Sequence, residues 1–137
     1  MSGSPVLALQ KAVFEALSGD AALGALLGGP RIHDAVPRNP AAPYVHLGET
    51  VRRDWSTATE GGAEVRFAIV AVTKAEGRSE ALAIAERVRA LLHEAPLAPA
   101  GHRLVHLRHL ATTSGTSRDR SERRAELTFR AVTEPAS

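Results

Sequence analysis

The run Phe67-Ala68-Ile69-Val70-Ala71-Val72 contains no polar residue, so it has no side to show to water. Six residues is strand length, and two β-branched types among them favour a strand over a helix. The run lies inside a longer stretch, Ala63 to Thr73, in which Val65, Phe67, Ile69 and Ala71 fall on one face. A strand that is apolar on both faces belongs at the centre of a sheet or under cover on both sides. The remaining segments must therefore be arranged around it. In a one-domain chain with few helices, a second subunit is a candidate for the second cover.

The segments before it read as two helices and two strands. Ser4-Pro5 is an N-cap followed by proline at the first helical position. Val6, Leu9, Val13 and Leu17, with Phe14 beside them, recur at spacings of three and four, which predicts an amphipathic helix of about 13 residues. Asp20 can cap a second short helix through Leu27, stopped by Gly28-Gly29-Pro30. Arg31 to Val36 reads as a short strand. Residues 37–43 hold three prolines, which forces an extended or turning connection. From Tyr44, a strand runs on toward Trp55, with Val45, Leu47 and Val51 expected on one side and His46 on the other. Gly61-Gly62 is a turn signal.

Beyond the central strand, Gly77-Arg78-Ser79 opens a helix. Leu82, Ala85, Val88 and Leu91-Leu92 form its apolar stripe, and Glu80, Glu86, Arg87 and Arg89 lie off it. Pro96 and Pro99 prevent its continuation. His102 to Ala111 and Ser121 to Val132 read as two more strands. In the second, Ala125, Leu127, Phe129 and Ala131 alternate with charged and hydroxyl residues. The polar stretch 112–120 reads as a long flexible hairpin loop, and 133–137 as a C-terminal tail. The order of elements predicts an α+β fold: an antiparallel or mixed, curved β-sheet with two main helices packed on one face. No internal repeat or linker divides the 137 residues, so the chain reads as one domain, 1–137.

Several chemistries are excluded or left without support. With no cysteine, there is no disulfide, thiolate nucleophile or Cys-based metal site. No apolar stretch approaches the roughly 18 residues of a membrane helix. The first residues lack the basic start and apolar run of a signal peptide. Of six histidines, only His102, His106 and His109 cluster in sequence. On a regular strand His102 and His106 would share a face at about 13 Å, too far apart for one ion, with His109 on the other face. Gly-x-Ser-x-Gly, Gly-x-Gly-x-x-Gly and Gly-Lys-Ser/Thr are all absent. Glu60, Glu64 and Glu76 carry no sign of being more than a solvated face. The expectation is no enzyme, no cofactor, no metal and no membrane.

Two groups of residues are candidates for contacts with partners. Trp55, the sole tryptophan, follows Arg52-Arg53-Asp54. It is either a core or sheet-edge aromatic or, with Arg52 and Arg53, an anchor at a protein interface, where Trp and Arg are enriched. Arg118, Arg120, Arg123 and Arg124 cluster against only Asp119 and Glu122. They are either a soluble hairpin edge or a surface facing a partner or DNA. The formal charge of +2 is low for a protein that grips phosphates.

The same residues carry a resemblance. The N-terminal helix with Leu9, Val13 and Leu17 leads to Asp20-Ala21-Ala22-Leu23, then to Gly29-Pro30-Arg31-Ile32-His33-Asp34. Ala42-Pro43-Tyr44-Val45-His46-Leu47-Gly48 and the Trp55 strand follow, then Gly62-Ala63-Glu64-Val65-Arg66. A helix start at Gly77 to Ala81, Val88-Arg89-Ala90-Leu91-Leu92-His93, a basic hairpin and Ala125-Glu126-Leu127-Thr128-Phe129-Arg130 complete the pattern. Over nearly its whole length the chain resembles the tail-completion, or tail-terminator, proteins of siphophages, prophages and gene transfer agents. The resemblance implies a structural protein of a phage-like particle assembled in the bacterial cytoplasm. It implies a homohexameric ring at the head-proximal end of a tail tube, with the tube protein and a head-side connector as partners and DNA passing through the lumen without specific binding. The alternatives are another head–tail joining protein of the same particle and a small DNA-binding module.

Overall fold

A computed structural model describes residues 3–57, 61–74 and 78–136, without the side chain of Arg78. Helix α1 spans Pro5–Ser18, α2 Ala21–Leu27 and α3 Arg78–Leu92. The strands are β1 Ile32–His33, β2 Tyr44–Asp54, β3 Ala63–Lys74, β4 His102–Thr116 and β5 Glu122–Pro135. They form one sheet in the order β1-β2-β3-β5-β4. Only β1 runs parallel to its neighbour, so the sheet is mixed and the fold is α+β.

The central strand is where its apolar run requires. β3 pairs with β2 on one side and β5 on the other along nearly its whole length. Val65, Ile69 and Ala71 join Phe129, Leu127 and Ala125 of β5 under Leu9, Val13 and Leu17 of α1 and Ile84, Ala85, Val88 and Leu92 of α3. β5 suits the inner place because its helix-side residues from Ala125 to Ala131 are all apolar. β4, whose apolar helix-side residues are few, stays at the edge. On the opposite face Val70 and Val72 pack against Tyr44, with Ala42 beside them. The second apolar face of β3 is thus largely covered from within the chain, where the sequence had suggested a second subunit.

The helix ends follow their local chemistry. Ser4 Oγ accepts from the Leu7 N–H at 3.2 Å, and Asp20 Oδ2 from the Leu23 N–H at 2.8 Å. Gly28 closes α2 at φ 78°, a left-handed cap that side chains resist. The strand expected over 31–36 shrinks to Ile32–His33. Arg31 instead reaches back, its Nη1 donating to the carbonyls of Leu27 at 3.0 Å and Ala42 at 3.2 Å. That contact ties the end of α2 to the proline-rich connection.

Bulges correct several expected faces. A register shift between Leu47 and Thr50 inserts a residue into β2, so Thr50 pairs with Phe67 and Val51 with Arg66. Val51 therefore leaves the side shared by Val45 and Leu47, and it is 43% exposed. Two more shifts interrupt β4, at Leu104/His106 and His109/Ala111. The first puts His102 and His106 on opposite faces, contrary to the regular alternation. In α3 the buried stripe is Ala81, Ile84, Ala85, Val88 and Leu92, while Leu82 is exposed. Phe14 also faces outward. The start of that helix at Gly77 lies outside the described residues.

The stretch 112–120 is not a long loop. β4 continues through Thr116, paired residue by residue with Arg123 to Leu127 of β5. Only 117–121 turn. Asp119 organises the turn by accepting from Ser117 Oγ at 2.8 Å, the Ser121 N–H at 3.0 Å and Ser121 Oγ at 2.6 Å. Those bonds, the Ser121 hydroxyl first, hold its carboxyl down at about 2. The tail expected over 133–137 is strand for its first part: Thr133 is buried between Ala63 and Leu104, and β5 runs to Pro135, while Ser137 lies outside the described residues.

Candidate interaction surfaces

The two sequence candidates lie at opposite ends of the sheet. Asp54, next to Trp55, pairs with Ala63, and Ala63 with Thr133. Arg123 pairs with Thr73, ten residues further along β3. At the usual strand rise the two ends are roughly 30 Å apart. They cannot form one patch.

Trp55 is 50% exposed, so it is not a core aromatic. Its position is nonetheless well defined. Its N–H donates to the Gly62 carbonyl at 3.0 Å, and the Gly62 N–H donates to Ser56 Oγ at 3.2 Å. Ser56 Oγ in turn donates to Asp54 Oδ1 at 2.6 Å. A side chain at position 62 would place Cβ 3.0 Å from the Trp55 carbonyl oxygen, a tight contact that glycine avoids. Arg52 and Arg53 leave β2 on opposite faces, opposite Val65 and Glu64 respectively. Arg52 lines a cleft of about 150 Å³ with Asp54, Ser56, His102 and Thr133. His102 Nε2, buried beside it, has no hydrogen-bond partner among the described residues.

The four arginines of the other end are spread around the β4–β5 hairpin. Arg118 and Arg120 are exposed in the turn, Arg120 at φ 63°. Arg123 bonds Thr116 Oγ1, and Arg124 faces Glu122 at 3.4 Å. Adjacent strand residues point to opposite faces, so Arg123 and Arg124 do not act on one surface.

A third group was not singled out by sequence reasoning. On the sheet face away from the helices, Arg130 Nε donates to Glu64 Oε2 at 2.6 Å and its Nη1 to His106 Nε2 at 2.6 Å. Arg66 Nε donates to Glu64 Oε1 at 3.3 Å. The residues are separated by up to 66 positions, and only the strand order brings them together. The hydrogen bond from Arg130 holds the Glu64 carboxyl below its ordinary range despite partial burial. Burial, then the charges of Arg130 and Arg108, push the His106 imidazole below its ordinary 6.5. An imidazole that accepts from a guanidinium must be neutral at that nitrogen. The folded state therefore binds this proton more weakly than the unfolded one, and its contribution to stability is present above 6.5 and lost as pH falls below it. An NMR titration is expected to find His106 with a midpoint below 6.5, moved upward by Arg130→Gln; a midpoint at or above 6.5 would contradict the arrangement.

A further pair joins the helices. Arg87 donates to Asp20 through Nε at 2.9 Å and Nη2 at 2.7 Å. That fork, with the Leu23 N–H, holds the Asp20 carboxyl down at about 2. One side chain thus caps α2 and fastens it to α3.

No set of three His, Asp or Glu side chains comes together to hold a metal ion among the described residues. Glu60 and Glu76 lie outside them. No described helix is long and apolar enough to cross a membrane.

Among curated proteins, none matches the chain. Among solved structures, a chain of the "Virion of native gene transfer agent (GTA) particle" is similar, with a TM-score of 0.88 and 39% sequence identity. The match covers 97% of this chain and 99% of that one. The family model described as "Tail completion protein gp17" matches residues 11–134. A match that runs from within α1 almost to the end of β5 takes in every strand of the sheet, and the chain belongs to the tail completion protein gp17 family.

Proposed function

We propose that the chain forms a ring that caps the head-proximal end of a tail tube, ends tail polymerisation and joins the tail to a head-side connector. Its working form is a homo-oligomer, six-fold as in the ring that the family resemblance implies. It acts by assembly, with no catalytic residue and no cofactor. The particle is phage-like and is built in the bacterial cytoplasm. One observation carries the reading: the likeness to a chain of a gene transfer agent virion, at 39% identity, covers 97% of this chain and 99% of that one. Membership of the family makes the protein a tail-associated structural component.

The geometry supports a part placed between two others. Trp55 with Arg52 and Arg53 sits at one end of the sheet and the arginine hairpin at the other. In this reading the Trp55 end anchors one partner, tube or connector. The hairpin that carries Arg118, Arg120, Arg123 and Arg124 lies toward the other partner or the DNA in the lumen, with Arg123 and Arg124 on its opposite faces. Arg123 and Arg124 are partly engaged by Thr116 and Glu122, which suits a surface along which DNA slides without being gripped.

The test is the mass of the purified protein at high concentration, alone and with tail-tube subunits, by light scattering and negative-stain imaging. The expected result is a closed particle of six times the 14.5 kDa chain mass, seated at tube ends. A chain that stays monomeric and ignores tube subunits would overturn the reading. Rings that bind the connector but not the tube would point to the neighbouring role of head–tail adaptor. Tight, salt-sensitive DNA binding by the monomer, lost when the four arginines become alanine, would favour a DNA-binding module.

A further inference from the structure

We propose that the outer edge of β4 over Ala111–Thr116 receives β2 of a neighbouring copy as an added antiparallel strand. The proposal rests on the ring reading and says which surfaces of adjacent copies meet.

β4 is an edge strand, and its two halves are treated differently. In the middle, the Glu94 N–H donates to the Leu107 carbonyl at 2.8 Å, and the His109 N–H to His93 Nδ1 at 3.0 Å. The segment after α3 thus occupies the edge there. Beyond it nothing described does. The Ser117 N–H donates to the Glu122 carbonyl at 2.9 Å, which makes those two a hydrogen-bonded pair. Antiparallel pairs alternate, so Thr112, Ser114 and Thr116 turn both N–H and C=O away from β5. The side-chain sequence over this edge is Ala-Thr-Thr-Ser-Gly-Thr, with neither charge nor proline. Monomeric proteins usually protect such an edge with lysine, proline, a bulge or a cover. The two bulges of β4 both precede this stretch.

A matching edge exists on the other side of the same sheet. β1 pairs with β2 only at Val45 and His46, which leaves the outer edge from Leu47 to Asp54 without a strand neighbour among the described residues. β2, β3, β5 and β4 alternate in direction, so β2 is antiparallel to β4. A second copy placed beside β4 by simple rotation therefore continues the antiparallel sheet. Each copy uses each edge once, which is the heterologous contact that closes into a ring.

The charges agree with this pairing. Antiparallel apposition carries the turn beyond Thr116 toward the Leu47–Glu49 end of the neighbour's β2. Arg118 and Arg120 are exposed in that turn, Glu49 is exposed on β2, and none of the three has an ion pair among the described residues. Arg52 and Arg53 are carried instead toward Ala111 and Thr112, where the edge bears no charge.

Ser114→Pro is the decisive variant. It deletes an outward N–H that β5 does not use, and proline is tolerated at such an edge position. Ser114→Lys leaves the backbone intact and adds an edge charge. Both are expected to keep the wild-type circular dichroism and melting behaviour. Both are expected to weaken ring assembly about tenfold or more, measured by sedimentation across a concentration series. In the wild-type ring, the amides of Thr112, Ser114 and Thr116 are expected to exchange with solvent at least about tenfold more slowly than in the monomer. Variants that form rings as the wild type does, or amides that exchange alike in ring and monomer, overturn the proposal and leave the ring reading standing. A wild-type protein that forms no ring overturns both.

Discussion

Replacing Phe129 with alanine is expected to cost about 3–5 kcal/mol of folding stability. The ring is fully buried on β5, stacked on Phe67 with centroids 5.3 Å apart and planes 14° apart. His109 meets it edge-on at 5.5 Å. Truncation removes the apolar area and both aromatic contacts, and three elements (β3, β4 and α3) would have to move to fill the void. Because native domains hold only about 5–15 kcal/mol in reserve, the variant should sit close to the folding threshold. Urea unfolding checks this: the midpoint should fall sharply while the slope stays near that of the wild type. A loss below about 1 kcal/mol would mean that Phe129 is not the centre of the core. The effect should also reach assembly. β5 carries Arg130 of the polar network and the inner partner of the β4 edge, so a loosened β5 blurs the surfaces that neighbours recognise.

How far the sequence reaches depends on which interaction decides each residue. Helix ends were legible because they are set by neighbours in the chain: Ser4 and Asp20 cap the amides three residues on, as their types require. The central place of β3 was legible because an apolar run leaves few alternatives. Bulges were not legible, and two of the three inverted an expected face. Strict alternation places Val51 and His106 on the wrong sides, because one inserted residue upstream of each moves it. The Thr-Thr-Ser-Gly-Thr stretch looked like loop because it has no apolar residue to mark an inward face. It is a strand because its main chain pairs with β5, beyond the reach of the helices, where side-chain polarity says nothing about hydrogen bonding. For the same reason the Glu64–Arg130–His106 network stayed hidden. Its charges are visible one by one, but their meeting depends on strand order. Trp55 and the arginines were found as residue types rare or crowded enough to notice. That they lie at opposite ends follows only from the register.

The sharpest contrast is on α3, between two neighbours of similar hydrophobicity. Ile84→Asp is expected to cost more than about 4 kcal/mol and to leave little folded protein at neutral pH. Leu82→Asp is expected to change stability by no more than about 0.5 kcal/mol. Spacing places Leu82 in the apolar stripe through Ala85, three residues on. The structure turns the helix by part of a step. Ile84 is 0% exposed within the core that includes Val88 and Leu92, while Leu82 is 40% exposed. The reason lies in the sheet beneath. α3 rests on β3 and β5 where their helix-side residues include Ala71 and Ala125, and it brings Ala81 and Ala85 to the same core. Small residues on both sides suit a close approach of helix to sheet, with Ile84, Val88 and Leu92 turned into the core. A carboxylate at 84 would enter this seam without water or a cationic partner, where a charge is costly and a protonated acid only less so. At 82 it would meet solvent. Circular dichroism and thermal melting of the two variants, made side by side, decide the matter. If Leu82→Asp unfolds the protein while Ile84→Asp is tolerated, the rotation of α3 is wrong, and the packing of the helical layer on β3 and β5 is wrong with it.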